Sequence, residues 1–318
     1  MTRSAIFIGI WLVCTLGASA QTPDSISLYF AGDMMQHKAQ LDAALQPDGT
    51  YNYSGCFTQV ISEIEAADIA VCNFETTLGG APYTGYPQFC SPDEYAEAVR
   101  DAGFDIFLTA NNHCMDRRNR GLVRTLDVLD SLGIAHLGTY RNQAERDSSY
   151  PFMIERNGMR IALLNYTYDT NGIPVAPPCI VNYIDTTIIK ADIRRARQLK
   201  ADCIIACMHW GTEYMLQPDA QQKKLEDWLY AHGVDHIIGS HPHVVQPVRT
   251  LPDYRNRPIR HLTVWSLGNY ISNMSAPNTY KGLAVTLYLK KNILDTRMMR
   301  YDIHPNRTIR PQFIVVPE

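Results

Sequence analysis

Five short stretches of the chain carry side chains suited to gripping a metal ion. "GSHPHVVQPV" (239–248) presents His241 and His243 one residue apart, straight after the apolar run "VDHIIG". "CMHWGTEY" presents His209 and Glu213, and "LTANNHCMD" presents Asn111, Asn112, His113 and Asp116. "CNFETT" presents Asn73 and Glu75, and "FAGDMM" presents Asp33. Each has a bland explanation on its own. An Asp after Gly is commonly a turn or a helix cap, "NNH" reads as a loop, and "GSHPH" as a surface turn. Asp116 reads best as the cap of the helix that follows it. Those explanations weaken together, because all five stretches fall at the same point of the strand cycle. Ligands of open α/β sheets gather beyond the carboxyl ends of the strands, so side chains distant in sequence can converge there. Imidazole nitrogens with carboxylate and amide oxygens suit Zn, Mn, Fe or Mg-like ions rather than a thiolate site. At least five donors exceed the needs of one tetrahedral ion. The count fits two divalent ions sharing a bridging carboxylate. Such a pair clamps the attacking and leaving oxygens of a displacement and acidifies a water between them.

The elements that must position these residues alternate. "SISLYFAG" (25–32) reads as a strand by alternation and β-branched content. A helix is expected over 56–67, then a buried strand over 68–75. "SPDEYAEAVRDAG" (91–103) opens on Ser and Pro, carries acids in its first turn and closes on Gly, which marks a helix. A strand over 104–110, a helix over 120–133 and the short strand "IAHLG" follow. "PFMIERNGMRIALLNYTY" (151–168) reads as a hairpin turning at Asn157-Gly158. Residues 169–184, rich in Asn, Gly and Pro, form a long loop. Helix 185–200, strand 202–208, helix 218–232, strand 234–239 and a strand-rich end complete the chain. Strand–helix alternation followed by hairpins predicts an α/β fold of two sheets with helices outside.

The 318 residues carry a net charge of −3, and no basic surface argues for nucleic acid. No composition break or internal repeat divides them. The chain is therefore expected to be a signal peptide over 1–20 and one domain over 21–318. Arg3, the apolar "AIFIGIWLVCTLG" and the small "ASA" have the secretory pattern, with cleavage near Ala20. An exported protein, periplasmic or extracellular, is expected. Loss of Cys14 leaves seven cysteines. Export permits disulfides, but the spacing settles no pairing. Cys72 and Cys114 sit beside candidate site residues, and a metal role for them would need a more clustered arrangement.

With "FAGD", "NFE", "ANNHCMDRRNRGLVRTLDVLDSLGI", "HWGTEY", "GSHPHVVQPV" and "SLGNYI" in this order, the sequence resembles the CapA family. These are the poly-γ-glutamate capsule-synthesis proteins of the calcineurin-like metallophosphoesterase superfamily. The resemblance implies a four-layer α/β/β/α sandwich. It also implies roles: Asp33 and His243 at a first ion, Glu75 as the bridge, and Asn112, His209 and His241 at a second. His113 would act on the leaving group. One or two divalent ions, Mn, Zn or Fe, would be the cofactor. The superfamily's first motif has His two residues after the Asp, where this chain has Met35. His37, Glu213 or water would replace that ligand, or the site would hold one ion.

These features point to a metal-dependent hydrolase linked to poly-γ-glutamate synthesis or processing, cleaving a phosphoester or a γ-glutamyl amide. The competing reading is a non-hydrolytic binding, export or anchoring factor with a bound metal, working beside membrane capsule-synthesis proteins. Arg117, Arg118 and Arg120 could meet an anionic polymer or phosphoester, although they read more simply as a solvated helix start. Tyr168, Trp210 and Tyr214 could wall a pocket.

Overall fold

A computed structural model of the chain describes residues 25–252, 260–291 and 297–318. The expected signal peptide lies outside the described residues. Among the described residues, no helix is long and apolar enough to cross a membrane. The first half runs β1 (Ser25–Met34), α1 (Lys38–Ala44), α2 (Ile61–Ile64), β2 (Ile69–Phe74), α3 (Asp93–Asp101), β3 (Ile106–Leu108), α4 (Arg118–Ser131) and β4 (Ala135–Leu137). Then come β5 (Thr139–Tyr140), α5 (Gln143–Ser149), β6 (Phe152–Arg156), β7 (Met159–Thr167), β8 (Ile180–Val181), α6 (Thr186–Gln198) and β9 (Cys203–His209). The rest is α7 (Ala220–His232), β10 (His236–Ser240), β11 (Val248–Pro252), β12 (Arg260–Val264), β13 (Asn269–Ile271), β14 (Lys281–Lys291), β15 (Arg297–Ile309) and β16 (Ile314–Pro317).

One sheet has the order β16-β15-β14-β1-β2-β3-β4, with β13 beside the end of β1; the other is β11-β12-β10-β9-β7-β6. The centre of each is parallel: β1 to β4 in the first, β7, β9, β10 and β12 in the second. Alternation along β1 shows how the layers stack. Ile26, Leu28 and Phe30 share an apolar cluster with Leu163, Ile205 and Ile237 of the second sheet. Tyr29 and Ala31 point the other way, into a cluster with Tyr95 and Val99 of α3 and Leu129 of α4. Beyond the second sheet, Ile189 and Ile193 of α6 and Leu229 of α7 are buried. The result is helix, sheet, sheet, helix: the four-layer α/β/β/α sandwich.

Local rules account for most elements. Asn157 and Gly158 both take positive φ, 52° and 72°, as a two-residue type I′ hairpin turn requires. Asp185 caps α6 by accepting from Thr187 N and Ile188 N, and Asp219 caps α7 through Gln222 N. One expectation fails in form. Residues 56–67 make only one α-helical turn, because tight bonds such as Val60 N to Phe57 O replace the earlier α-helical ones. Phe57, Val60 and Ile64 still reach the core, which is why the spacing looked helical. The loop over 169–184 holds one short strand, β8, paired with β5.

Candidate metal centre

Every ligand-bearing stretch leaves the carboxyl end of a parallel strand, and the two sheets bring those ends to one rim. Asp33 is next to last in β1, and Glu75 directly follows β2. His209 ends β9, and His241 directly follows β10. Gly32 permits the approach on one side: a Cβ there would lie 2.0 Å from Gly268 O. Asp33 N instead donates to Gly268 O at 3.0 Å. Gly239 does the same on the other sheet, where a Cβ would lie 2.0 Å from Trp265 O. The histidine turn is strained. His241 and His243 have φ of 100° and 57°, a left-handed backbone that costs a non-glycine residue roughly 1–3 kcal/mol.

Asp33, Glu75, His209, His241 and His243 are all at most 2% exposed. Ligand atoms of Asp33, Glu75 and His209 lie within 4.8 Å of one another, as do those of Glu75, His241 and His243. Glu75 is common to both groups. Its Oε1 has no hydrogen-bond partner and stands 3.8 Å from His209 Nε2 and 3.7 Å from His243 Nε2. Those gaps are too long for hydrogen bonds and leave room for an ion. His241 Nδ1 is likewise buried without a partner. His243 Nδ1 stands 3.1 Å from Asp33 Oδ2 and 3.0 Å from Asn269 Oδ1. That fixes its proton on Nδ1 and leaves Nε2 free as a ligand. Asn112 Oδ1 meets His209 Nε2 at 2.9 Å, so the amide expected beside the second histidine is there. The groups pair His209 with Asp33 and His241 with His243, across the division into ions that the resemblance implies.

Burial dominates the electrostatics. It pushes the Glu75 carboxyl well above its usual range, and the neighbouring Asp33 charge adds to this. Burial drives His209 well below the usual imidazole value and His241 down to about 3, each helped by the neighbouring histidines. Both are therefore neutral donors at physiological pH, the form a metal needs. For His243 burial works the other way from Asp33, whose carboxylate prevails and raises it. Unpartnered buried acceptors, neutral imidazoles and oxygen donors fit divalent ions of the Mn, Zn or Fe type.

His113 stands beside this cluster and belongs to neither group. Its Nδ1 is 2.7 Å from Asp116 Oδ2, which also accepts from Phe89 N at 2.6 Å. Asp116 is thus no helix cap; α4 starts from Arg117, without a side-chain cap bond. The carboxylate orients the imidazole instead. His113 and Asp116 line a cleft of about 440 Å³ with Tyr86, Gln88, Asn112, Asn171 and Glu213.

Other expected participants stand elsewhere. His37 Nδ1 is engaged by Gln40 Oε1 and Asn273 N, and its ring lies edge-on to Phe89 at 5.1 Å. It is outside both donor groups, as is Glu213. Asn111 Nδ2 is spent on Phe74 O at 2.9 Å. Arg117 ties Pro82 O and Thr84 Oγ1, and Arg120 lines a separate cavity with Arg124 and Arg141. Neither meets the cleft. Trp210, buried and stacked on Trp265 at 5.6 Å, does line a cavity of about 430 Å³ together with Tyr168. Tyr168 does wall the site, its ring 4.5 Å from that of His241, while Tyr214 is half-exposed. Cys72 and Cys114 are buried in apolar clusters, and all seven cysteines of the described residues are free.

Sequence reading named Asn73 as a donor but not as a tether, and it missed Asn269. Asn73 Nδ2 lies 2.8 Å from Asp33 Oδ1 and 3.1 Å from Glu75 Oε2, tethering both carboxylates. Asn269 orients His243. Both sit inside matching stretches, "NFE" and "SLGNYI", but a neutral amide advertises no role without a partner in view.

The family described as "Bacterial capsule synthesis protein PGA_cap" matches residues 27–274. The PGA biosynthesis protein CapA of Bacillus subtilis (strain 168) is 28% identical over 319 residues, 92% of this chain and 78% of that protein. The capsule biosynthesis protein CapA of Bacillus anthracis is 26% identical over 85% of this chain and 65% of its own length. Among solved structures, the NAD nucleotidase (NadN) of Haemophilus influenzae aligns with a TM-score of 0.52 at 14% identity. That alignment covers 90% of this chain and 58% of the nucleotidase, and it speaks to the fold alone.

Proposed function

The chain belongs to the bacterial capsule synthesis family PGA_cap, and from that premise we propose an exported, metal-dependent hydrolase that processes the capsule polymer poly-γ-glutamate. One observation carries the reading. Glu75 Oε1 and His241 Nδ1 are buried without partners, inside two donor groups that share Glu75. Groups desolvated in this way are costly unless something binds them. Asp33, Glu75, Asn112, His209, His241 and His243 would hold the metal, and divalent ions bound there would supply Lewis acidity.

The chain's own residues do the rest. Asn73 keeps the two carboxylates together, and Asn269 and Asp33 keep the His243 proton on Nδ1. Tyr168 covers His241 and shields the rim from solvent on that side. His113, oriented by Asp116, faces the cleft and gives its proton to the leaving group. The 2.7 Å contact of Asp116 Oδ2 with Nδ1 holds the ring in place for that transfer.

The test is elemental analysis of untagged protein, followed by hydrolysis assays on γ-glutamyl polymers and phosphoesters with and without chelator. A bound divalent metal and chelator-sensitive cleavage of the polymer are expected. Metal-replete protein that cleaves neither class would discard the enzyme.

A further inference from the structure

Thr170-Asn171-Gly172-Ile173 opens the long loop after β7, and its backbone follows from its residue types. Ile173 N donates to Thr170 O at 2.9 Å, and Asn171 and Gly172 take φ of 51° and 69°. Positive φ at both central residues is what a type I′ turn requires, and Asn-Gly is its favoured pair. Buried Thr170 pins the turn from below, its Oγ1 meeting Ile173 O at 2.8 Å and Tyr183 Oη at 2.7 Å. The turn explains why an asparagine stands at 171. It does not explain where the side chain goes. Asn171 is exposed, and nothing in the turn keeps its amide from extending into solvent. Instead it lines the cleft and reaches the metal rim. Asn171 Oδ1 accepts from Asn112 Nδ2 at 3.2 Å, and Asn171 Nδ2 lies 3.5 Å from His113 Nδ1. His113 Nδ1 is closer to Asp116 Oδ2, at 2.7 Å, so the firm bond is the one to Asn112.

That bond bears on what Asn112 can do. A primary amide has one end that ligates a cation and one that does not: Oδ1 carries lone pairs and Nδ2 carries hydrogens. Asn112 is 1% exposed, with its Oδ1 at 2.9 Å from His209 Nε2. Turned over, it would present hydrogens to the donor groups. An ion on Oδ1 draws electrons from the amide and makes its N–H a better donor, and an acceptor on that N–H strengthens the oxygen as a ligand in return. We propose that Asn171 is a positioning residue of the metal centre, accepting from Asn112 Nδ2 so that the amide oxygen stays on the side of the ion. The inference rests on the proposed metal centre and adds to it a residue from a loop rather than from a strand end. Tyr168 interacts with the same amide, so removing Asn171 weakens the arrangement without abolishing it.

The experiment titrates metal-stripped full chain with Mn²⁺ and, separately, with Zn²⁺ by calorimetry. Asn171→Gly accepts the positive φ of the turn and deletes only the side chain. It should weaken ion binding about ten-fold, the lower end of what an outer-shell partner contributes, while the urea midpoint of the metal-free protein stays unchanged. Asn171→Asp keeps an acceptor in the same place and should bind at least as tightly as wild type. Asn112→Ala should weaken binding as well, and adding Asn171→Gly to it should bring no further loss, because Asn171 acts through Asn112. Full affinity in Asn171→Gly, weakened binding in Asn171→Asp, or losses that add in the double variant overturn the assignment and leave the metal centre standing. A wild-type chain that binds neither ion overturns both. Where the losses appear in a chain that cleaves neither γ-glutamyl polymer nor phosphoester, Asn171 keeps its role and hydrolysis falls.

Discussion

Glu75 and Asp192 are both buried carboxylates, and their surroundings differ in a way that separates holding a fold from holding a ligand. Asp192 Oδ2 accepts from Arg146 Nη2 at 2.7 Å and Tyr166 Oη at 2.8 Å, and Arg146 Nε donates to Asn182 Oδ1 at 2.7 Å. That network is closed, with a cation opposite the acid. Glu75 has an amide at 3.1 Å, a second carboxylate nearby, two imidazole nitrogens beyond hydrogen-bond reach and an unpartnered oxygen. The turn that supplies two of its neighbours is strained at His241 and His243. Closed networks return the cost of burial through their own bonds. The rim leaves that cost outstanding, which is what a bound divalent ion would offset.

The contrast predicts opposite outcomes for substitutions in the two regions. His113→Ala has the largest effect. It should cut turnover on the order of 10²–10⁴-fold while bound metal, measured by elemental analysis, stays at the wild-type level. Loss of metal alongside activity would make His113 part of the donor set and blur the line between rim and cleft. Asp192→Ala should lower stability in urea denaturation by about 3–5 kcal/mol, because it strands the Arg146 guanidinium. A loss below about 1 kcal/mol would mean that the closed network contributes little to the fold. Remaining folded protein should keep its metal.

Glu75→Gln is the counterpart, and its sign should be reversed. In metal-free protein the change removes a carboxylate that burial and Asp33 both disfavour. Unfolding should then need more energy than in the wild type. Wild-type protein should gain about 2.7 kcal/mol with free metal at a hundred times its dissociation constant, and Glu75→Gln should gain far less. Thermal unfolding with and without metal reads both. A metal-free variant less stable than wild type would show that the rim is closed after all.

The degree to which these two regions were legible in the sequence follows from their physics. The rim was readable because strand ends are: each of the five stretches announces a strand, then donors at the point where the chain leaves the sheet. Its finer geometry was not. Asp116 reads locally as a helix cap, and only the folded chain shows it accepting from Phe89 N and aligning His113. Asn73 and Asn269 have no chemistry until their partners arrive from β1 and the turn after β10. The Asp192 network gave no signal, since its members come from α5, β7, the loop before Tyr183 and α6. The helical spacing of 56–67 was real as a burial pattern and misleading as a hydrogen-bond pattern.

The smallest effect concerns the cysteines that flank the rim. Cys72 precedes Asn73 in β2, so strand alternation turns its thiol away from the metal and into the α3 side of the core. Cys114 follows His113 and packs with Met115, Leu122 and Leu126. Burial pushes Cys114 up to about 12 and Cys72 well above the ordinary thiol value. A thiol must ionise to react, so at about pH 8 both should resist a disulfide reagent in native protein and react fully once denatured. Chelating the metal should leave the native count unchanged, because both thiols pack in apolar layers apart from the donor groups. A thiol that becomes reactive on chelation would show that the ion also clamps those layers, and the rim and the core would then be one structure rather than two.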